Sequence, residues 1–391
     1  MGRELIQSAA FVFGGQRHLR LAAPLIRGTA RPWAAPFDES VAEVLKLRGR
    51  AVCVLASGDP FFHGVGSLLA QHVGAEEALV LPAPSAFSLA AARLLWPLPQ
   101  AVLLSLCGRS VHLIRPHLQP GARILALTSG QETPAELARL LCGLGFGPSR
   151  LTVLESLAGP RERIRTVSAQ DFDLEGIDPL NTVAIEVVAE AGARILPRAA
   201  GLADELFEHD GQITKREIRA LTVSALAPRR GELLWDVGAG AGSVAIEWLL
   251  ADASLNAIAI ERRGDRAARV RRNAAAFGVP HLQVIEGPAP AALEGLAPPD
   301  AVFIGGGATV PGVLEAAQSA LRSAGRLVMN AVSLETEGML LRHHSRWGGS
   351  LTRIAISRAA PLGGEDGRGE GGRMQGWRCA MPVVQWTWVK P

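Results

Sequence analysis

Residues 232–250, ELLWDVGAGAGSVAIEWLL, constrain the fold more than any other part of this 391-residue chain. Leu233, Leu234 and Trp235 read as the end of an apolar strand that Asp236 closes. Gly238, Ala239, Gly240, Ala241 and Gly242 follow with almost no side chains, and helical apolar spacing resumes at Ser243. A strand, a glycine turn and a helix in this order bring backbone N–H groups and the positive end of a helix to one point, where a ligand can touch the main chain. A second apolar strand over residues 256–260 ends in Glu261. An acid about 20 residues after such a turn can accept hydrogen bonds from a ribose.

Two ligands suit this arrangement, a nicotinamide dinucleotide and S-adenosylmethionine, and the spacing favours the second. The dinucleotide fingerprint needs a third glycine or alanine three positions after the second, and here that position is Ser243. A carboxylate at the strand tip, Asp236, would repel a pyrophosphate but suits a cationic sulfonium and ammonium.

The bulk composition narrows the function classes. Forty basic and 37 acidic residues leave a net charge of +3, so the chain is no global polycation and makes no strong case for nucleic acid. The four cysteines, Cys53, Cys107, Cys142 and Cys379, form no CxxC pair and fit no zinc spacing. They suit a reducing compartment, and no metal site is expected. No stretch reaches the ~18 apolar residues of a membrane span, and the N-terminus lacks the layout of a secretory signal. A cytoplasmic location is expected.

Strands and helices alternate through the first half. Strands are expected over residues 51–56, 78–81, 101–106 and 123–127. Helices are expected over 85–95 and 134–144, the latter capped by Thr133. From residue 151 the segments LTVLESL, RIRTVSA and NTVAIEVVA follow one another without long helices, so an antiparallel lobe should follow a parallel one. Residues 193–212 show no clear period and read as a linker. Alternation then returns: a helix over 215–226, strands over 256–260, 282–285, 301–304 and 326–330, and a late strand pair over 351–356 and 383–389. The late pair flanks GGEDGRGEGGRMQG, which reads as a mobile loop.

The motifs SGDPFFHG, LPAPSAFSLAAARLLWPL, LCGR, LTSGQETPAELARLL and NTVAIEV together resemble the tetrapyrrole methylase family, in its precorrin C5-methyltransferase branch. GQITKREIRA, LLWDVGAGAGSVAIEW, IEGPAPAAL, DAVFIGGG and GRLVMNAVSLET resemble the decarboxylating C15-methyltransferases. In this order on one chain they are similar to the bifunctional precorrin C5,15-methyltransferases of cobalamin biosynthesis. The resemblance implies an α/β protein in two parts. Residues 1–192 would form a two-lobed tetrapyrrole methylase domain, 193–212 a linker, and 213–391 a seven-stranded, Rossmann-like class I methyltransferase domain. The family opens with a strand and a GxGPxG turn that have no counterpart here. The first domain is therefore expected to be N-terminally truncated, lacking that strand, with an open sheet edge and a weakened C5 site.

The resemblance also implies the chemistry and its residues. Two equivalents of S-adenosylmethionine would methylate a precorrin at C5 and C15, and the C12 acetate would lose carbon dioxide. In the second domain Thr214, Asp236, Gly238, Ala239, Gly240, Ala241, Gly242, Glu261, Gly287 and Ala289 would contact the donor; Gly305, Gly306, Gly307 and Asn330 would face the substrate. In the first, Ser57, Gly58, Asp59, Pro60, Ser85, Ala86 and Phe87 would contact the donor, with Thr128 and Ala184 as weaker candidates, and His63 would border the macrocycle. Arginines 262, 263, 266, 269, 271 and 272 read as a solvated helix face. A homo-oligomer formed through the second domain is expected. Two other readings stay open: a class I methyltransferase acting on protein or nucleic acid, and a first half that serves only for binding or assembly.

Overall fold

The computed structural model describes residues 1–361 and 375–391; most of the glycine-rich stretch read as a mobile loop lies outside them. The described residues divide into two compact units, Met1–Val111 with Gln119–Ala193, and His112–Leu118 with Arg194–Pro391.

The first unit holds two sheets. One has three parallel strands in the order β2-β1-β3, from β1 (Phe11–Gly14), β2 (Thr29–Pro32) and β3 (Val52–Val54), preceded by helix α1 (Gly2–Ser8) and joined through helices α2 (Gln16–Ala22) and α3 (Phe37–Lys46). Central β1 reads FVFG, and Val12 and Phe13 are fully buried. β2 contains Pro32 and is exposed throughout, as a strand with one unpaired edge permits. β3 is the opposite edge and only half-buried.

Residues 78–81, expected as a strand, are not one, and Leu79 and Val80 are exposed. The reason is physical: a strand persists only where its backbone groups find a ladder partner. Among the described residues β3 pairs with β1 alone. A short helix α4 (Gly66–Leu69) and helix α5 (Ala86–Leu94) complete this lobe.

The second sheet runs β4-β5-β8-β6-β7, built from β4 (Ala101–Ser105), β5 (Arg123–Leu127), β6 (Arg150–Glu155), β7 (Arg163–Ser168) and β8 (Asn181–Glu186), with α6 (Thr133–Gly143) after β5. Only β4 and β5 are parallel; β8 pairs antiparallel with β5 and β6, and β6 with β7. This is the change of pattern expected from residue 151 onward. Helix α5 docks on the sheet through Phe87, Ala90 and Ala91 against Leu125, Leu154 and Ala184.

The second unit centres on a seven-stranded sheet, β11-β10-β9-β12-β13-β17-β14. Its strands are β9 (Leu233–Val237), β10 (Asn256–Glu261), β11 (Gln283–Glu286), β12 (Ala301–Ile304), β13 (Arg326–Ala331), β14 (Ser350–Ile354) and β17 (Val383–Val389); β15 (Ser357–Pro361) and β16 (Gln375–Cys379) form a separate hairpin. Only β17 runs antiparallel to its neighbours. Helices α7 (Arg216–Leu226), α8 (Ser243–Ala251), α9 (Gly264–Ala276), α10 (Val313–Ala320) and α11 (Leu334–Trp347) connect or flank the strands. The central strands are apolar at nearly every position because both faces are covered. Leu234 joins the core under α8 and α9, whereas Trp235 and Val237 join the core under α10 and α11. β9 lies between β10 and β12, so the chain order reverses there, the place where open α/β sheets bind ligands at their carboxyl ends.

Candidate functional site

The glycine turn after β9 is hung from the end of β10. Gly238 N and Ala239 N donate to Ile260 O at 2.9 and 3.1 Å. Gly240 N donates to Glu261 Oε2 at 2.9 Å, and Arg263 N to Oε1 at 3.0 Å. Glu261 is 4% exposed, so its carboxylate is held at the rim by main-chain donors and keeps lone pairs for a ligand. Gly238, Gly240 and Gly242 have φ of +73°, +60° and +74°, a region that residues with a Cβ rarely adopt.

The three glycines differ in what surrounds them. A Cβ on Gly238 would lie 2.6 Å from Gly306 O, and one on Gly242 would lie 2.7 Å from Val270 Cγ1. At Gly240 the nearest atom would be Gln212 O at 3.7 Å. The turn is thus closed at both ends and open in the middle, a cradle of the kind a ligand fills.

Asp236 lies within β9 and is 1% exposed. Its Oδ2 accepts a hydrogen bond from Ala245 N, in the first turn of α8, at 3.1 Å, and its Oδ1 has no partner among the described residues. Burial, reinforced by the nearby Glu261 charge, pushes its pKa up to about 7, although the Ala245 bond opposes the shift. A buried carboxyl with a free oxygen beside an open cradle suits a cationic ligand.

Gly287 N donates to Glu261 O at 3.0 Å, which sets residues 287–289 beside the same strand end. Gly305 N donates to Val237 O at 3.0 Å and Gly306 packs on Gly238. The two glycine runs therefore meet, and Gly305 and Gly306 shape the turn as well as the expected substrate side. Asn330 is less free than the sequence suggests. Its Nδ2 donates to Thr222 Oγ1 at 2.9 Å and its Oδ1 accepts from Gln385 Nε2 at 3.0 Å.

The segment before α7 is part of this site. Gly201 N and Leu202 N donate to Glu247 at 2.7 and 2.8 Å. The fully buried Arg219 bonds Glu247 at 2.6 Å, Asp204 at 3.1 Å and Thr214 O at 2.6 Å, donates also to Leu202 O, and stacks over Phe207. Thr214 therefore enters through its carbonyl, and Lys215 occupies the N-cap position.

Three arginines of α9 grip the same segment. Arg266 and Arg269 reach Asp210 at 2.9 and 3.3 Å, and Arg272 reaches Glu208 at 2.6 Å. Burial opposes ionisation of Asp210, but hydrogen bonds from Arg266, Gln212 N and Arg269 hold its pKa down to about 2. Asn273 Nδ2 bridges Glu208 O and Ala241 O at 3.0 and 2.9 Å. Residues 201–214 thus form a strap that carries Gln212 to the open side of Gly240. The helix-face reading missed this because the acidic partners lie more than 50 residues away.

In the first unit the SGDP turn meets the PAPS segment. Gly58 has φ +63°, and a Cβ there would lie 2.8 Å from Ser85 Cα. Ser85 caps α5 by accepting from Ser88 N at 3.2 Å, and Asp59 Oδ1 accepts from Phe61 N at 2.8 Å. Pro60 O lies against Gly64 and Gly66. Ala86 opens α5. Phe87 and Ala184 place their side chains in the core, so only their backbones can serve a ligand. The Thr128 hydroxyl is buried and occupied by Asn181, with O at 2.9 Å and Oδ1 at 2.8 Å. His63 has φ +57°, stacks on Phe62 and meets the edge of Phe87; partial burial and then Arg109 lower its pKa.

His18 was not singled out by sequence. It lies on α2, four residues after Gly14, and its Nε2 is 2.7 Å from Ser57 Oγ. The available signal was the GG-Q-R-H spacing, which puts the histidine one helical turn beyond a strand-end glycine pair.

Known proteins match across these elements. A profile of tetrapyrrole (corrin/porphyrin) methylases matches residues 1–173, and one of a precorrin methyltransferase domain matches residues 205–390. A Sinorhizobium protein named precorrin-6Y C(5,15)-methyltransferase [decarboxylating] is 58% identical over 388 residues, 99% of this chain and 92% of that protein. A Mycobacterium tuberculosis protein of the same name is 38% identical over 391 residues, 99% and 95% of the two chains. The solved C-terminal domain of the Rhodobacter capsulatus precorrin-6Y C5,15-methyltransferase is 45% identical, covers 50% of this chain and 100% of its own, and superposes with a TM-score of 0.45. With both profiles in order and full-length identity to named relatives, the chain belongs to the family of decarboxylating precorrin-6Y C(5,15)-methyltransferases, which use S-adenosylmethionine as methyl donor.

Proposed function

We propose that the two units divide the family's reaction. The first, residues 1–192, methylates precorrin-6Y at C5. The second, residues 213–391, methylates C15 and promotes loss of the C12 acetate carboxyl, giving precorrin-8X; residues 193–212 join them. Two equivalents of S-adenosylmethionine are consumed. The observation that carries the assignment of the second unit is the Gly240–Glu261 bond at the carboxyl end of β9, beside the open cradle and the free Asp236 Oδ1.

The donor supplies an electrophilic methyl group when bound, so the chain's residues mainly position it and keep the site dry. Glu261 holds ribose hydroxyls, and Ala239 to Gly242 lie along the methionine portion. Gly287 and Ala289 border the adenine, and the strap ending at Thr214 closes the site. Gly305 to Gly307 and Asn330 form the substrate rim. In the first unit Ser57 to Pro60, Ser85 to Phe87, Thr128 and Ala184 surround the second donor site, and His63 borders the macrocycle. Electron-rich meso carbons attack without a metal. After methylation a neighbouring iminium acts as the electron sink for decarboxylation. We further propose a cytoplasmic homo-oligomer assembled through the second unit, with no nucleic-acid partner. Among the described residues no helix is long and apolar enough to cross a membrane.

The test uses precorrin-6Y, a donor with a 13C-labelled methyl, and Glu261→Ala beside the parent chain. 13C NMR should show the C15 label and carbon dioxide release reduced together while C5 labelling persists. Loss of both labels, or of neither, would overturn the division of labour.

A further inference from the structure

Methylation of an sp2 meso carbon leaves a proton to be removed. The C5 carbon carries one hydrogen. As its electron pair forms the new bond to the methyl carbon, the sulfur–methyl bond breaks with its electrons going to sulfur. The product is an sp3 carbon bearing hydrogen and methyl, next to a cationic iminium. Breaking the C5–H bond returns that electron pair to the ring system and restores conjugation. A base must take the proton, and this need follows from the C5 assignment above, on which the inference rests.

The first unit holds a suitable group at the carboxyl ends of two adjacent parallel strands. β1 ends at Gly14 and passes through Gly15 into α2, which carries His18 one turn in; β3 ends just before the SGDP turn, which starts at Ser57. His18 Nε2 and Ser57 Oγ lie 2.7 Å apart. The other ring nitrogen, Nδ1, is buried and has no hydrogen-bond partner among the described residues. A Cβ on Gly15 would sit 3.4 Å from Nδ1 and one on Gly14 would sit 3.4 Å from His18 Cβ, so the glycine pair gives the ring its place against the turn.

We propose that His18, paired with Ser57, accepts the C5 proton, directly at Nε2 or through the Ser57 hydroxyl, and later releases it to solvent. Among the described residues no carboxylate orients Nδ1, so this is not the relay of a serine hydrolase, whose base needs a third group. Ser57 serves here as a partner that aims the imidazole and can pass a proton. Burial, with Arg17 as the charged neighbour, lowers the ring's pKa below its usual value. The base is therefore neutral and available at neutral pH, as general-base catalysis requires.

The experiment compares the full chain with His18→Ala, His18→Gln and Ser57→Ala. C5 and C15 methylation are scored separately with 13C-labelled donor, from pH 5 to 8, with and without added imidazole. His18→Ala should slow C5 methylation by about 10²–10⁴-fold, leave C15 methylation unchanged, and recover with imidazole. His18→Gln can keep a hydrogen-bond acceptor toward the Ser57 hydroxyl but no basic nitrogen, so it should remain slow. In the parent chain the C5 rate should fall in acid below pH 6.5, and in His18→Ala that dependence should vanish. Independently of turnover, 15N NMR of the resting protein should show the His18 Nε2 resonance move in Ser57→Ala.

A parent-like C5 rate in His18→Gln would make His18 a positioning residue only and overturn the proposal. So would a slow His18→Ala without imidazole rescue, or an unmoved Nε2 resonance. A parent chain that methylates C15 but never C5 would overturn the assignment of the first unit itself, and the proposal with it.

Discussion

At the scale of single residues, Asp236 makes the sharpest statement. Its pKa is raised to about 7 because the carboxyl is buried. A carboxyl whose folded pKa lies above its unfolded one destabilises the fold progressively as pH rises from the unfolded value to about 7, and by a constant amount above that. A cationic donor favours the charged carboxylate, so binding should release a proton and tighten as pH rises through 7. Calorimetry of S-adenosylmethionine binding in buffers of different ionisation enthalpy should detect that release. Asp236→Asn should abolish it while keeping an acceptor for Ala245 N. Glu261 carries the complementary prediction. Glu261→Ala should weaken donor binding by about 1–3 kcal/mol, and an unchanged affinity would remove Glu261 from the ribose position. Gly240→Val should weaken it more, since a branched side chain at φ +60° strains the turn and fills the cradle.

At the scale of elements, the strap over residues 201–214 combines two kinds of electrostatics. Arg219 and Glu247 are buried, so Arg219→Ala leaves a buried charge and should cost about 3–5 kcal/mol in denaturant unfolding of the second unit. The Asp210 pairs with Arg266 and Arg269 lie nearer solvent, where such pairs add little to stability. Asp210→Ala should therefore leave the melting temperature nearly unchanged while speeding donor release, because the strap end at Gln212 loses its grip. Stopped-flow displacement would read the off-rate, and an unaltered rate would show that the strap does not close the site. In the first unit, among the described residues, β3 pairs on one side only and residues 78–81 are outside the sheet. Hydrogen exchange should be faster in residues 52–54 than in central β9, and C5 methylation should be the slower of the two. Equal protection of the two strands would argue against a loosened first sheet.

At the scale of the whole molecule, the two units predict a stoichiometry of two methyl groups transferred per carbon dioxide released. Both rates should be indifferent to a chelator, and activity restored by one particular metal would contradict this. What the sequence by itself determined was whatever depends on local order. Glycines at alternate positions between an apolar run and a helix specify a turn because no other residue occupies left-handed φ so freely. An acid at the next strand end then falls beside that turn, and the lack of long helices between successive strand segments told the antiparallel lobe from the parallel one. Tertiary structure decided what depends on partners distant in sequence. Residues 78–81 have strand composition but pair with no neighbour among the described residues. Arginines 266, 269 and 272 look solvated along their helix, yet they hold Asp210 and Glu208. Asn330 is drawn to Thr222, 108 residues away, and His18 to Ser57, 39 residues away. A side chain's solvent, charge and hydrogen bonds are set by what folds against it, and local sequence period does not encode which distant residue that will be.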